Sequence, residues 1–358
     1  SEYSGQFADV AADNPYASYI QAGIDNNFIS ADTHFRPDDY IKAYELIKMM
    51  LCVNGYHIVA VNSGISDYPS YILAQAQRLN LLDGMQNNGM DFISRSDAAI
   101  LMFNTYITYP FGYDFESESF EKGSETLLEK LYDYKLKRGV VTGNDITQLD
   151  GVNTTVTQGS IWIDNVKYTD NDRLGLDYIG ETVYFLYDEN ANILALWRDD
   201  KYTQSVTIYE HQMEDADFDI IKVMEGEKTK KYVIEDHPYV MLNGIADANA
   251  TVEDLRSVNG HVVLVDNDRD SRFEVVKIYK PEIVLVDSVY VDEDANEIRL
   301  SDVNGTVLTI NSDIISAKDA SGKNLALSRI RSGRLLYIYT SAGNKTTFIE
   351  AQNSAVEG

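Results

Sequence analysis

Gly180-Glu181-Thr182-Val183-Tyr184-Phe185-Leu186-Tyr187, returning through Ile193-Leu194-Ala195-Leu196-Trp197, reads as a strand, a polar turn and a second strand. β-Branched and aromatic residues fill it, and Asp188-Glu189-Asn190 interrupts it where a turn is needed. The arrangement recurs downstream as Gly260-His261-Val262-Val263-Leu264-Val265 with Phe273-Glu274-Val275-Val276-Lys277-Ile278. It recurs again as Gly333-Arg334-Leu335-Leu336-Tyr337-Ile338 with Thr347-Phe348-Ile349. Upstream of each lies another hairpin-like stretch, at residues 161–168, 232–242 and 307–314. Units of this length close as small five- or six-stranded sandwiches or barrels. The repeat therefore predicts three β modules at residues 135–203, 204–280 and 281–352, followed by a short tail at 353–358.

The first 107 residues follow a different period. Between residues 16 and 30, Tyr16, Tyr19, Ile20, Ile24 and Phe28 recur at helical spacing. A second helix is expected just after Phe35-Arg36-Pro37-Asp38-Asp39, with Ile41, Tyr44, Leu46, Ile47, Met50 and Leu51 as its apolar stripe. The pattern returns from Tyr71-Ile72-Leu73 to Leu82-Asp83-Gly84, where glycine is a C-terminal stop. It returns once more at Ile93-Ser94-Arg95-Ser96-Asp97-Ala98-Ala99, whose S-x-x-D spacing marks a helix start. Two helix-loop-helix units, about 5–56 and 66–107, thus stand in tandem. A connector with a short helix at 108–134 joins them to the β region. The fold class expected is a multidomain α plus all-β chain: a helical pair followed by tandem small sandwiches or barrels.

Composition bounds the function. The 358 residues carry 57 acidic against 30 basic side chains, a formal charge of −27. That charge excludes nucleic acid as a partner, because phosphate binding needs a basic surface. No run approaches the ~18 apolar residues of a membrane helix, so membrane insertion is not expected. One cysteine, Cys52, set among Met49, Met50, Leu51 and Val53, removes a disulfide framework and reads as core filler. Beginning at Ser1, with neither Met nor a basic leader, the chain reads as a mature secreted protein.

Phe7-Ala8-Asp9-Val10, then Tyr19-Ile20 to Phe28-Ile29, then Phe35-Arg36-Pro37-Asp38 before Glu45-Leu46-Ile47-Lys48-Met49, resembles a module of the S-layer homology family. The second unit, with Tyr68-Pro69 and Ser94-Arg95-Ser96-Asp97-Ala98-Ala99, resembles the clostridial variant of that module. The resemblance covers residues 5–107. It implies a bacterial surface protein of Gram-positive type, outside the cell, bound to a secondary cell-wall polysaccharide. The Arg of the family's T-R-A-E motif falls on Arg95, where a guanidinium can fork onto a ligand carboxylate. In the first unit the same alignment puts Lys42 and Ala43 at the Thr and Arg, so a displaced point charge replaces the fork. Asp9 and Arg36 match family positions that mostly build the module, with a ligand role as the alternative.

Two further clusters invite chemistry. Asp266, Asp268 and Asp270 begin a calcium-loop spacing, but Ser271 and Lys277 stand where Gly and Glu should follow, so the EF-hand fails. A surface calcium site and a plain hairpin turn both remain as readings, and Asp170-Asn171-Asp172 and Asp292-Glu293-Asp294 look like turns. The five histidines are scattered, and no nucleophile or phosphate-loop motif occurs. No cofactor is expected. The expectation is a non-catalytic surface protein whose partners are wall polysaccharide or copies of itself. A self-assembling lattice or filament subunit is the alternative, and a wall-glycan enzyme comes third.

Overall fold

The computed structural model describes residues 2–29, 32–56, 68–87, 89–114, 119–151, 157–292, 297–310, 313–344 and 346–352. The chain is mostly β with a helical N-terminal part, in several separate sheets. It divides into two compact units, Ser1–Lys135 and Leu136–Gly358.

In the first unit, α1 (Ala17–Asp25), α2 (Ala43–Val53), α3 (Tyr68–Arg78) and α4 (Arg95–Tyr106) precede a ribbon. The ribbon pairs β1 (Phe111–Asp114) with β2 (Ser119–Lys122), and α5 (Leu127–Tyr132) follows. The α1 stripe is not the one expected. Ala17 and Ile20 are buried, whereas Tyr16 and Tyr19 are 66% and 74% exposed. The small cluster of Phe7, Val10 and Phe35 that α1 meets covers only a narrow face of it, so the two tyrosines are left outside. The starts of α2 and α4 each have a local cause. The Glu45 carboxylate accepts the Lys42 amide at 2.9 Å before α2. Ser94 Oγ accepts the Asp97 amide at 3.0 Å before α4, while the Asp97 carboxylate takes the Gln86 amide instead of closing the box.

Packing in this unit cuts across the two expected helix pairs. Phe7, Val10, Ala17 and Ile20 form a small core with Phe35 against it. Ile47 and Leu51 of α2 join Ile72 and Ala76 of α3 and Leu101 of α4 in a separate, larger core. The junction is a short backbone crossing. The Ala43 amide donates to the Asp91 carbonyl at 2.9 Å, the Ile93 amide to Ile41 at 3.1 Å, and Lys42 bridges Phe92 antiparallel. The N-termini of α2 and α4 are thereby set side by side. Gly55, at φ +81°, lets the chain leaving α2 pass the Phe111 carbonyl, which any Cβ would strike.

The second unit holds three sheets. β3 (Lys135–Gly143), β4 (Ser160–Ile163), β5 (Val166–Thr169), β6 (Thr182–Tyr187) and β7 (Ile193–Arg198) order as β5-β4-β3-β6-β7. Next come β8 (Gln204–Tyr209), β9 (Met213–Ala216), β10 (Ile220–Glu225), β11 (Lys228–Leu242), β12 (Ile245–Ala246), α6 (Val252–Leu255), β13 (His261–Asp266) and β14 (Arg272–Tyr279). They order as β8-β13-β14-β11-β10-β9, with β12 on β11. Last are β15 (Glu282–Asp292), β16 (Glu297–Asp302), β17 (Val307–Ile310), β18 (Asp313–Lys318), β19 (Leu335–Thr340) and β20 (Thr346–Ala351), ordered β17-β16-β15-β19-β20-β18.

One connectivity underlies all three. With β8 and β9 counted together as the first strand of the second sheet, and β17 and β18 as the third strand of the third, a first strand pairs with the second, the second with the third, a helical turn follows, and the fourth strand returns to the other side of the first. The fifth pairs with the fourth and meets the third in parallel, through Thr169–Asn192, β11–β14 and β18–β20. A repeated sequence pattern thus has a repeated topology behind it. The helical turns are Leu176–Tyr178, α6 and Leu327–Arg329, each shortly before Gly180, Gly260 or Gly333.

The sheets are not separate beads. Met241, Val265 and Val275 of the second sheet lie in the core of the first, beside Val183 and Phe185. Gly180 sits at φ +82° where a Cβ would come within 2.8 Å of Val275. Asn267 Nδ2 donates to the Gly180 carbonyl at 3.1 Å, and Thr182 Oγ1 donates to the Asn267 carbonyl. Asn243 ties the second sheet to the third, donating to the Lys280 and Thr340 carbonyls at 3.1 and 2.9 Å. Beside it the His261 ring stacks on Tyr279 at 4.7 Å, and Tyr339 and Phe348 meet Tyr279 edge-on.

Candidate functional site

The first unit carries a pocket of about 750 Å³ between its small core and the start of α2. Its apolar floor comes from Phe7, Phe28, Ile29 and Phe35. Arg36, Lys42 and Lys48 line it with His34, and Asp32, Asp39 and Glu45 are the acids. Tyr40, 85% exposed, and Phe92, 59% exposed, stand at its rim with ring centroids 5.9 Å apart. The sequence folds this way because Phe92 is carried in by the crossing with Lys42, and α2 points its N-terminus at the same space. A helix N-terminus adds partial positive charge. Two of the acids are engaged: Glu45 takes the Lys42 amide, and Asp32 lies 3.9 Å from Arg36. Three cations and three carboxylates thus share an aromatic-rimmed pocket that is formally neutral, in a chain that is otherwise strongly acidic.

Asp9 shapes this pocket from behind. Its carboxylate accepts the amides of Phe35 and Arg36 at 2.8 and 2.7 Å. Arg36 is thereby held at φ +59°, a left-handed conformation that a long side chain rarely adopts. Partial desolvation pushes the Asp9 carboxyl up, but the two amide hydrogen bonds outweigh it and hold it below its ordinary value. A carboxylate with a depressed folded value adds stability above the ordinary range and loses it as pH falls through the folded value. Asp9→Ala is therefore expected to lower the melting temperature of the first unit at pH 7. The wild-type advantage should shrink as the pH falls below the ordinary 3.8, which thermal melts on either side of that value check.

The structure sorts the residues singled out in the sequence. Arg36 and Lys42 line the pocket. Asp9 does not; it positions the turn that holds Arg36. Arg95 is exposed at the first turn of α4 and does not line the pocket, although Phe92, three residues before it, does. Sequence reasoning passed over His34, Tyr40, Lys48 and Phe92. Only Lys48 had a signal, since it lies on the α2 face that begins at Lys42 and Glu45.

Asp266, Asp268 and Asp270 do come together, and Glu274 joins them, with one oxygen of each within 4.8 Å of the others. They surround the hairpin turn between β13 and β14, Asp266 at the end of β13 and Glu274 on β14, and the loop's own amides use them. Asp266 accepts the amides of Arg269 and Ser271, and Glu274 accepts that of Asn267. Asp170 does the same for Leu174 and Gly175 in the first sheet. Residues 293 and 294 of the third acidic cluster lie outside the described residues. Burial, with Asp268 and Asp266 alongside, pushes the Glu274 carboxyl up to about 7. An acid whose folded value is raised costs stability as pH climbs from its ordinary range to that value. Glu274→Gln should therefore stabilise the second unit at pH 8 but not at pH 5. The gain expected is about 1–2 kcal/mol once solvent screening of a half-exposed group is discounted, read by denaturant titration.

Cys52 is buried in α2, and burial raises its thiol, so it is a poor nucleophile. Among the described residues no helix is long and apolar enough to cross a membrane. No family model, curated protein or solved structure matches the chain. The chemistry of the pocket therefore has to speak for itself.

Proposed function

We propose that the chain is a non-catalytic bacterial cell-surface protein whose helical unit, of S-layer homology type, holds an acidic wall polysaccharide. The observation that carries this reading is the pocket beside the α2 N-terminus. Arg36, Lys42 and Lys48 answer anionic substituents, and Tyr40 and Phe92 answer the apolar faces of sugar rings. The family-like motifs of residues 5–107 support it, because Phe7, Phe35, Arg36 and Lys42 converge on that space. Arg95 contributes at most from the neighbouring helix start. The β unit, whose repeated strand order is that of OB-type barrels, supplies the body of the coat. Attachment of this kind needs no cofactor, and it places the protein outside the cell.

Co-sedimentation with Gram-positive cell walls, before and after the polysaccharide is stripped, tests the proposal. Pelleting should be lost on stripped walls and weakened more by Lys42→Glu than by Arg95→Ala. Equal pelleting with both preparations rejects glycan attachment. If pelleting then depended on protein concentration, the partner would be copies of the same chain, as in a self-assembling lattice.

A further inference from the structure

The outer face of the first sheet presents side chains that its core does not use. Arg138 stands there on β3, Tyr184 on β6 and Trp197 on β7, while Val183 and Phe185 alternate inward and are buried. Tyr184 and Trp197 are opposite each other in register. Their rings are half-buried and nearly parallel, 25° apart with centroids at 5.9 Å. The turn after β7 brings Tyr202 back beneath Arg138, whose guanidinium lies 3.7 Å from the ring centroid. Asp199, only 5% exposed, closes the group with Oδ2 at 3.8 Å from Arg138 Nη1.

The Asp199 carboxylate is asymmetrically used. Oδ1 accepts the Lys201 amide at 3.0 Å, whereas Oδ2 is buried and has no hydrogen-bond partner. At 3.8 Å, the contact of Arg138 with Asp199 is one of charge and not a hydrogen bond, while the guanidinium hydrogen-bonds the Tyr202 and Tyr184 hydroxyls. A buried acceptor without a donor costs free energy, so one that persists calls for an explanation. Here it lies beside two rings and a positioned guanidinium, on an open sheet face.

We propose that this face binds a neutral, β-1,4-linked hexose chain. Sugars with equatorial hydroxyls have flat C–H faces that stack on indole and phenol rings. A hydroxyl both donates and accepts, so it can give its proton to Asp199 Oδ2 and take one from an Arg138 N–H. Asp199 selects against an anionic sugar, whose carboxylate would meet it across the rings, and the charge of −27 selects against nucleic acid. The site lies in the second unit and shares no residue with the acidic-glycan pocket, so each stands or falls alone.

The test follows Trp197 emission in a Trp162→Phe background, which leaves one indole, titrated with cellotetraose, chitotetraose and maltotetraose. A saturable change with one of the β-linked sugars, at a Kd of about 1 mM or below, is expected. Maltotetraose, whose α-linked chain curls, should give none. Arg138→Met and Tyr184→Ala should each weaken binding about tenfold. Unchanged melting curves will show that both variants fold, and calorimetry on Trp197→Leu supplies a second readout in which binding should disappear. No saturable response by about 10 mM, an equal response to maltotetraose, or binding that survives in Trp197→Leu would overturn the proposal.

Discussion

Glu181→Ala is expected to destabilise the second unit by about 3–5 kcal/mol, among the largest effects of any single substitution in the chain. Lys277 is buried where the first and second sheets meet, with its Nζ 3.6 Å from Glu181 Oε1. Arg198 Nε approaches the other oxygen of the same carboxylate at 3.6 Å. Burial pulls the Lys277 ammonium below its ordinary range, and Glu181 pulls it back. Alanine at 181 leaves a buried cation with its main partner gone. The sign of the pH dependence follows from that depression. Between the folded value and the ordinary 10.5, the unfolded chain binds the proton more tightly, so stability rises with pH across that window. The slope should steepen in Glu181→Ala. Glu181→Leu combined with Lys277→Met should recover most of the loss, because a well-packed apolar pair is often no worse than a buried ion pair. Denaturant titrations at pH 7 and pH 9.5 check both points; a loss under about 1 kcal/mol with no steeper slope would show that solvent reaches the pair.

The second large effect concerns binding. Lys42→Glu with Lys48→Glu reverses two charges in the pocket while leaving the backbone crossing in place, since Lys42 contributes its amide to the helix start and not its ammonium. Losing two cation contacts and adding two repulsive ones should weaken an acidic glycan by about 30-fold or more. The interaction should also weaken steeply with salt, because the pocket is open to solvent and its charges are screened beyond about 10 Å at 0.1 M. An effect confined to stability, with binding intact, would move the glycan elsewhere.

These expectations divide along what local pattern can carry. The strands Thr182–Tyr187, His261–Asp266 and Leu335–Thr340 were legible because alternation of period two is a local property. Their closure was not. The parallel contacts of β11 with β14 and β18 with β20 join stretches that no turn residue links. The same limit governs the helical unit. Tyr16 and Tyr19 fit a helical stripe but face outward, since periodicity shows that a face exists and not which face has a partner. Lys42 and Arg36 were found from motif position, whereas Phe92 enters the pocket through a crossing some fifty residues along the chain. Glu274 joined the three aspartates because the hairpin folds β14 back over the turn, eight residues from Asp266. In each case the missing information was long-range pairing.

Calorimetric titration of the isolated acidic wall polysaccharide into the whole chain tests the central claim most directly. The account predicts saturable, salt-sensitive binding to the wild type, little change in Arg95→Ala, and loss in the Lys42→Glu, Lys48→Glu variant. Binding of equal strength in that variant, or to a neutral polymer stripped of its anionic groups, would contradict it.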